Sequence, residues 1–331
     1  MKLKEFLNEK EMETALEIYG EKELKLRELG FLKHKKLEDE TYEVWGDFKG
    51  NPKELPVKIK IFHGNFYCKK QDLISLEGCP EIVDGNFNCS HNENLISLKG
   101  GPKIVDGEFY CSENKNLTSL EGGPKIVDGN FYCFENPNLT SLEGGPKIVK
   151  KGFDCSNNRN LISLEGSPKI IGRDFYCSYN NNFKSLKGGP KIVKGVFSCH
   201  NNRNLTSLEG SPEIVKGNFL CNNNPNLTSL KGAPKIVKGN FDCYVNKLKS
   251  LKGAPKKIGG SFNCSYNPNL TSLKGSPKII EKDFVCSNNN LTSLKGCPEI
   301  VKIDFYAYNN KKKFTKEEIQ SVCEVGGKII L

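Results

Sequence analysis

Residues Pro124 to Gly145 read Pro-Lys-Ile-Val-Asp-Gly-Asn-Phe-Tyr-Cys-Phe-Glu-Asn-Pro-Asn-Leu-Thr-Ser-Leu-Glu-Gly-Gly. This 22-residue unit recurs along the chain, and each copy begins with a proline. The prolines stand at 80, 102, 124, 146, 168, 190, 212, 234, 255, 277 and 298. A short unit repeated at nearly constant length predicts a solenoid, because one copy cannot bury its own apolar residues and the copies must stack.

The Phe-x-Cys segment of each copy predicts a short strand. Its Phe and Cys are two residues apart, so both point to the same side of a strand and are expected to face the core. The Phe positions are 66, 87, 109, 131, 153, 175, 197, 219, 241, 262, 284 and 305. The Cys positions are 68, 89, 111, 133, 155, 177, 199, 221, 243, 264 and 286, and Ala307 takes the twelfth place.

Two further segments supply apolar edges, and two others supply corners. The Leu-x-x-Leu pair and the Ile-Val pair after the proline are both expected to face inward. The Asn three residues after the Cys and the Gly-small-Pro segment are typical of turns. Copies that are one residue short should lack a corner residue, because a deletion in a strand would turn inward residues outward. We therefore expect a mainly β solenoid of about 11 coils of 21–22 residues over 62–308.

The two ends depart from the repeat and are expected to cap it. Residues 1–61 predict helices over 9–20 and 21–29, followed by strands over 42–48 and 57–62. Residues 309–331 begin with a capping box, Thr315-Lys-Glu-Glu318, which predicts a helix to about Val322 with Ile319 and Val322 facing inward. A final strand is expected over 328–331. Terminal caps shield the open faces of a solenoid.

The Leu-x-x-Leu pair, the Asn three residues beyond an inward side chain, and the fixed period resemble the leucine-rich-repeat superfamily. The order Pro-x-x-Val, Phe, Cys and Leu-x-Ser-Leu is similar to the short bacterial, treponemal-like type and to repeats of phage and giant-virus proteins. Here Phe and Cys replace two leucines of the standard pattern. The resemblance implies a binding scaffold with no catalytic residues to transfer.

Cysteine usage indicates a reducing compartment. Of 14 cysteines in 331 residues, 11 lie in the Phe-x-Cys column, where Cys packs as a small buried hydrophobe. A linear column does not gather four ligands around a metal, and Cys-x-x-Cys is absent. No run approaches the length of a membrane span, and the first residues lack a secretory apolar core. We therefore expect a cytoplasmic protein, or one in the host cytoplasm if viral, with no membrane association.

Catalytic chemistry is not indicated. The four His fall outside any cluster, the recurring Ser is explained by the repeat, and phosphate-binding glycine loops are missing. We expect no enzyme activity, no cofactor, no metal and no small-molecule substrate.

The outward residues of the Phe-x-Cys face differ between coils and are the expected partner-binding site. Tyr110, Tyr132, Phe134, Tyr176 and Tyr179 are predicted to form an aromatic stripe. The full candidate set is Tyr67, Tyr110, Tyr132, Phe134, Tyr176, Tyr179, His200, Tyr244 and Tyr266. Exposed aromatic residues are typical interface anchors, although Tyr also stabilises sheets without binding anything.

Charge divides the repeats into two parts within a chain of net charge +10. Residues 62–167 hold 10 basic and 14 acidic groups, whereas 168–303 hold 21 basic and 7 acidic groups. The basic flank consists of Lys191, Lys194, Lys216, Lys235, Lys238 and Lys256. Such lysines keep strand edges apart, attract an acidic protein or contact phosphates, and all three readings stay open.

The pattern favours a non-enzymatic protein-binding scaffold that uses the outward strand face. A phage- or virus-encoded inhibitor of a host protein is one specific form of this hypothesis. The alternatives are a structural or decorating component of a particle or surface layer, and a nucleic-acid binder through the basic C-terminal half.

Overall fold

The computed structural model describes residues 20–331 and shows a repeat β-solenoid of about 13 turns with a 22-residue period. Each turn contributes one short strand to each of two sheets. All neighbouring strands in both sheets are parallel, except for the first pair of the first sheet. The predicted mainly β solenoid is confirmed, but the coil count of 11 was too low.

The first sheet has 15 strands, mostly formed by the Ile-Val segments. They are β1 Lys33–Lys36, β2 Tyr42–Trp45, β4 Ile59–His63, β6 Ile82–Val83, β8 Ile104–Val105, β10 Ile126–Val127, β12 Ile148–Val149, β14 Ile170–Ile171, β16 Ile192–Val193, β18 Ile214–Val215, β20 Ile236–Val237, β22 Lys257–Ile258, β24 Ile279–Ile280, β26 Ile300–Val301 and β28 Glu324–Val325.

The second sheet has 14 strands, mostly formed by the Phe-x segments. They are β3 Phe48–Lys49, β5 Phe66–Tyr67, β7 Phe87–Asn88, β9 Phe109–Tyr110, β11 Phe131–Tyr132, β13 Phe153–Asp154, β15 Phe175–Tyr176, β17 Phe197–Ser198, β19 Phe219–Leu220, β21 Phe241–Asp242, β23 Phe262–Asn263, β25 Phe284–Val285, β27 Phe305–Tyr306 and β29 Ile329–Ile330.

The core is a set of side-chain columns that run along the solenoid. The predicted Phe and Cys positions are all buried, and consecutive Phe rings from Phe48 to Phe305 have centroids 4.6–5.8 Å apart. Both Leu columns are buried as expected, apart from Leu294, which is partly buried. The Leu side of each coil is irregular rather than a third sheet, and its one isolated β-bridge in the described chain joins Ser272 to Ser293.

A column of buried asparagines links successive coils. Asn158 is typical of this column: its Oδ1 accepts from the backbone N–H of Asn136 at 2.8 Å, one coil earlier. Its Nδ2 donates to the carbonyl oxygens of Cys155 at 2.8 Å and Cys133 at 3.0 Å. The turn role predicted for this Asn is thus confirmed, and the same side chain also supplies hydrogen bonds between coils.

The Ile-Val pair was wrongly expected to face inward as a unit. Adjacent strand residues point to opposite sides, so only the second residue of the pair lies in the core. Val149 is 2% exposed, whereas Ile148 is 49% exposed, and Ile170 and Ile236 are similarly open. The outward side of the first sheet therefore carries a row of isoleucines.

The copies that are one residue short keep their strand register, as predicted. Phe66 pairs with Phe87, Phe241 with Phe262, and Phe284 with Phe305. Each missing residue lies between the Asn position and the first Leu, in a turn. The sheets are unaffected because a corner can shorten without shifting the side-chain alternation.

The N-terminal region is partly solenoid itself. The predicted helix over 9–20 lies outside the described residues apart from Gly20, while helix α1 over 20–28 and Gly30 at φ +89° fit the second predicted helix. The predicted strand over 42–48 is two strands, β2 and β3, and the strand over 57–62 is β4. Strand β1 was not predicted, and it pairs antiparallel with β2. A 3-10 turn spans Pro52–Glu54.

The C-terminal region adds one more coil. Helix α2 spans Lys316–Gln320, and its capping box between Thr315 and Glu318 is formed as predicted. Ile319 is buried, but Val322 is 48% exposed, so its inward assignment was wrong. Strands β28 and β29 then continue the two sheets. With β2–β5, this coil accounts for the higher turn count.

Candidate functional site

The outward side of the second sheet carries the candidate aromatic residues, and we call it the aromatic face. It comprises the residue between Phe and Cys and the two residues after Cys. The second residue after Cys adopts left-handed backbone at almost every level, for example Glu135 at φ +55° and Tyr179 at φ +60°. This conformation turns the chain away from the strand and points the side chain outward, while the paired strands below hold each level in register.

Three of the predicted aromatic residues form a continuous cluster. The rings of Tyr110 and Tyr132 stack with centroids 4.8 Å apart, and Phe134 packs edge-on against Tyr132 at 6.2 Å. The Tyr110 hydroxyl donates to the Glu108 carboxylate. Burial, followed by the neighbouring Glu108, raises the pKa of Tyr110 far above its ordinary value. These rings are half-buried, so they offer edges and partial faces to a partner.

A groove of about 350 Å³ separates this cluster from a second aromatic group. The second group contains Tyr176, Tyr179 and His200, with Tyr179 and His200 edge-on at 5.3 Å. Tyr176 and Tyr179 are 37% and 48% exposed. The groove is lined by Phe134, Glu135, Asp154, Ser156, Asn157, Tyr176, Ser178, Tyr179 and His200. The predicted stripe is therefore two aromatic clusters with an acidic gap between them.

A hydrogen-bond network fixes one wall of the groove. His200 Nδ1 lies 2.7 Å from Ser198 Oγ and 2.9 Å from Ser178 Oγ, and the two hydroxyls are 3.0 Å apart. Burial lowers the pKa of His200. Ser198 is fully buried beneath this network, although its strand position predicts an outward side chain. Burial thus favours the neutral imidazole, and the two hydroxyls set the orientation of its ring.

The remaining aromatic candidates lie apart from these clusters. Tyr67 and Tyr110 line a separate groove of about 580 Å³, with the shorter side chain of Asn88 at the level between them. The Lys49 ammonium lies 6.0 Å from the centre of the Tyr67 ring. Tyr244 is half-buried and Tyr266 is 55% exposed, and neither makes a ring contact within residues 20–331. The structure thus gathers six of the nine candidates into two aromatic clusters on either side of the 350 Å³ groove and leaves Tyr67, Tyr244 and Tyr266 outside them.

The basic flank lies around the first sheet rather than on the aromatic face. Lys191, Lys235 and Lys256 directly precede its strands, and Lys194, Lys216 and Lys238 directly follow them. Lys191 and Lys235 share Glu213, at 3.6 and 3.2 Å. The other four form no ion pair with any residue in 20–331, so their charges remain available to a partner.

Sequence reasoning missed a groove on this first-sheet surface. It measures about 900 Å³ and is lined by Ala233, Pro234, Lys235, Ile236, Val237, Lys238, Gly253, Ala254, Pro255, Lys256, Lys257, Gly259 and Glu281. Its Ile236 is 46% exposed, and Lys257 takes the place of the next outward Ile. The adjacent Ile and Val of each strand could have revealed it, because they cannot both face inward.

The cysteine column is buried and free of disulfides. Its thiols point along the solenoid; Cys155 Sγ, for example, donates to the carbonyl oxygen of Tyr176 at 3.5 Å. Burial raises the thiol pKa along the column, as at Cys155 and Cys221. Among residues 20–331 no group of three or more His, Cys, Asp or Glu side chains is arranged to hold a metal ion. Across the same residues, no helix combines the length and apolarity needed to span a bilayer.

Fold and surface together define a repeat β-solenoid with two outward sheet surfaces of different chemistry. Comparison with protein-family models, with curated proteins and with solved structures finds no match to this chain. The arguments for its function therefore rest on its own geometry.

Proposed function

We propose that this protein is a non-enzymatic scaffold that binds a protein partner through the aromatic face. The observation that carries the proposal is the pair of aromatic clusters, Tyr110–Tyr132–Phe134 and Tyr176–Tyr179–His200, on either side of one groove. Aromatic side chains that are partly exposed and held rigid are the residues that most often anchor protein interfaces. The stacked sheets hold these rings in place before binding, which reduces the ordering cost of association.

The resemblance to leucine-rich repeats supports the same role. The buried Leu pairs, the Asn column and the 22-residue period agree with a stacked-coil scaffold of this kind, and we propose that the chain is of the short, treponemal-like type. The buried free thiols favour a reducing compartment, so we propose the cytoplasm as its location. A phage- or virus-encoded inhibitor of a host protein is the specific form of the proposal that the repeat type suggests.

The basic flank contributes a second, electrostatic element. Lys194, Lys216, Lys238 and Lys256 form no ion pair within the described chain, and Lys238 and Lys256 line the groove that contains Ile236. A row of like charges beside apolar surface steers an oppositely charged partner and speeds its encounter. We propose that the partner has an acidic region that meets this flank. The same lysines could instead contact the phosphates of a nucleic acid. Sensitivity of binding to salt and nuclease distinguishes this alternative from an acidic protein partner.

The test is affinity capture from lysate of the source organism with the reduced protein, at low and moderate salt, with and without nuclease. The decisive variant replaces Tyr110, Tyr132 and Tyr176 with Asn. Asn88 and Asn263 already occupy the same strand position, so the coil tolerates this residue. We expect one stoichiometric protein to be captured by the native chain at moderate salt and lost with the triple variant.

The matched control is Tyr306→Asn, which changes the same strand position outside the two clusters. It should leave capture intact. Capture that survives the triple variant would exclude the aromatic face as the site. Recovery that disappears with nuclease and with salt would favour nucleic acid, since phosphate contacts weaken steeply with ionic strength. Recovery of the chain alone, as an assembly, would favour the structural component.

A further inference from the structure

One coil on the aromatic face carries short side chains between two levels that carry long ones. At the level of β13 the outward residues are Asp154, Ser156 and Asn157. The preceding level presents Tyr132 and Phe134, and the following level presents Tyr176 and Tyr179. The difference in side-chain length between these levels makes the groove, which we call the aromatic slot.

The width of the aromatic slot follows from the sheet. Its two walls are two coil steps apart, which is about 9.5 Å at the usual strand spacing. A group placed midway between the walls would lie about 5 Å from the rings on each side, within the range of about 6 Å over which a cation is attracted to an aromatic face. The slot thus has room for one extended side chain with an aromatic ring on either side.

The lining of the aromatic slot is acidic. Asp154 forms its floor and Glu135 stands at its rim, no Lys or Arg lines it, and Arg159 lies in the adjoining groove. Asp154 Oδ1 accepts from the Ser156 backbone N–H at 2.9 Å, and neither carboxylate forms an ion pair with any residue in 20–331. Burial, with a further contribution from Glu135, raises the pKa of Asp154. A half-buried carboxylate in this state gains from a bound cation.

His200 adds an aromatic wall without adding a positive charge. Its Nδ1 is engaged by the Ser178 and Ser198 hydroxyls, and burial favours the neutral ring. The slot therefore combines neutral aromatic walls with an acidic floor. This is the chemical combination that recognises an alkyl chain ending in a cation.

We propose that the aromatic slot binds the cationic side chain of a lysine, a methylated lysine or an arginine from the partner protein. Its alkyl stem lies between Phe134 and Tyr179, and its charge meets Asp154. This inference rests on the proposed binding function and specifies the chemistry of its anchor. The partner would then carry both kinds of charge. A basic side chain would enter the slot, and an acidic region would meet the basic flank.

The first test uses small probes and the full chain. The probes are the N-acetyl methylamides of lysine, trimethyl-lysine, arginine and norleucine, followed through the NMR signals of the slot residues. We expect saturable shifts for at least one cationic probe at millimolar concentration and none for norleucine, which has a similar stem without the charge. No saturation with any of the three cations, or equal binding of norleucine, would overturn the proposal. Among the three, the tightest probe identifies the preferred side chain.

Two matched pairs of variants separate binding from folding. Asp154→Asn keeps an oxygen that can accept from Ser156 and should weaken the cationic probe about tenfold or more. Asp242→Asn makes the same change at a half-buried level that does not line the slot and should leave probe binding unchanged. Equal effects of the two substitutions would contradict the assignment of Asp154.

The second pair replaces left-handed tyrosines by a residue that favours this conformation. Tyr179→Asn removes a slot wall, and Tyr266→Asn changes the equivalent position elsewhere, where φ is +53°. Asn already occupies this position at 157 and 201. Both variants should be at least as stable as the native chain, and only Tyr179→Asn should lose probe affinity, by about fivefold or more. Unchanged affinity in Tyr179→Asn would remove the tyrosine from the site.

Failure of this inference is distinguishable from failure of the proposed function. If the cationic probes do not bind but Tyr110, Tyr132 and Tyr176 remain necessary for capture, the scaffold binds its partner by another chemistry. If the probes bind with the expected variant pattern but no protein is captured, the slot is a cation site and the scaffold proposal is wrong.

Discussion

The side-chain amide of Asn158 donates to the carbonyl oxygen of Cys133, in the preceding coil, over 3.0 Å. The same amide holds its own coil through Cys155, and its oxygen receives the N–H of Asn136. One buried side chain therefore makes the turn and joins it to its neighbour. The repetition of this arrangement from Asn92 to Asn289 makes the Asn column part of the structure that keeps the coils in register.

We expect Asn158→Ala to destabilise the solenoid by about 2–4 kcal/mol, because the Asn136 N–H loses its partner in a buried setting and two carbonyls lose one donor each. Urea unfolding followed by circular dichroism measures the loss. Asn138→Ala is the control, since this exposed corner residue should change stability by about 0.5 kcal/mol or less. Similar losses for both variants would contradict a special role for the Asn column.

Val245 is the second residue after Cys243, and its backbone is left-handed, with φ +53°. A β-branched side chain is strained in this conformation. It is 41% exposed, so its replacement sacrifices little apolar burial. We expect Val245→Asn to stabilise the chain by about 1 kcal/mol, measured as a higher unfolding midpoint. The reciprocal change, Asn157→Val at φ +61°, should cost a similar amount. A lower midpoint for Val245→Asn would show that the valine makes a compensating contact.

His63 connects three levels of the N-terminal coils. Its Nε2 lies 2.7 Å from Glu43, its Nδ1 lies 2.6 Å from Asp84, and its ring stacks on Trp45 at 4.5 Å. Burial disfavours the charged ring, but the hydrogen bonds to the two carboxylates outweigh this effect and raise the pKa of His63.

A raised pKa in the folded state fixes the direction of the pH dependence. The stabilisation is complete below the unfolded value of about 6.5 and is lost as pH rises through the higher folded value. We expect the N-terminal coils to lose about 1 kcal/mol or less across this window. Hydrogen exchange between pH 6 and pH 9 measures it locally, after correction for the intrinsic rate. His63→Gln should flatten this dependence; an unchanged profile would assign it to other groups.

The thiols should differ in reactivity along the chain. Burial raises the pKa of the column thiols, and the thiolate is the reactive form, so they should resist alkylation in the folded protein. At the C-terminal coil, a hydrogen bond from the Cys297 thiol lowers the pKa of Cys323, and Cys297 itself is only partly buried. The same hydrogen bond, together with burial, raises the pKa of Cys297. We therefore expect Cys323, rather than Cys297, to react with iodoacetamide at least about tenfold faster than Cys155, as read by mass spectrometry.

The control for the thiol prediction is Cys297→Ala. This change removes the thiol that hydrogen-bonds to Cys323, so alkylation of Cys323 should slow. Column thiols that react as fast as Cys323 in the native protein would mean that the coils open readily, and the packed core described above would not protect them.

The inward residues could be predicted because each position is repeated many times. A 22-residue period with Phe, Cys and two Leu in constant positions leaves one way to bury the same side of every copy. The caps were harder to predict, since β2–β4 and β28–β29 carry strands without the repeat signature. The outward Ile row was missed because two adjacent apolar residues were read as a single inward edge.

The period, the buried columns and the placement of the short copies in corners follow from the amino-acid sequence, because they depend on alternation within a coil and on its repetition. Which outward residues meet depends on how the coils stack. Asp154 lies between Phe134 and Tyr179 only because parallel strands set residues about 22 positions apart side by side. Whether neighbouring side chains fill or leave the space between them depends on their relative lengths across three coils, and that relation exists only once the coils are stacked.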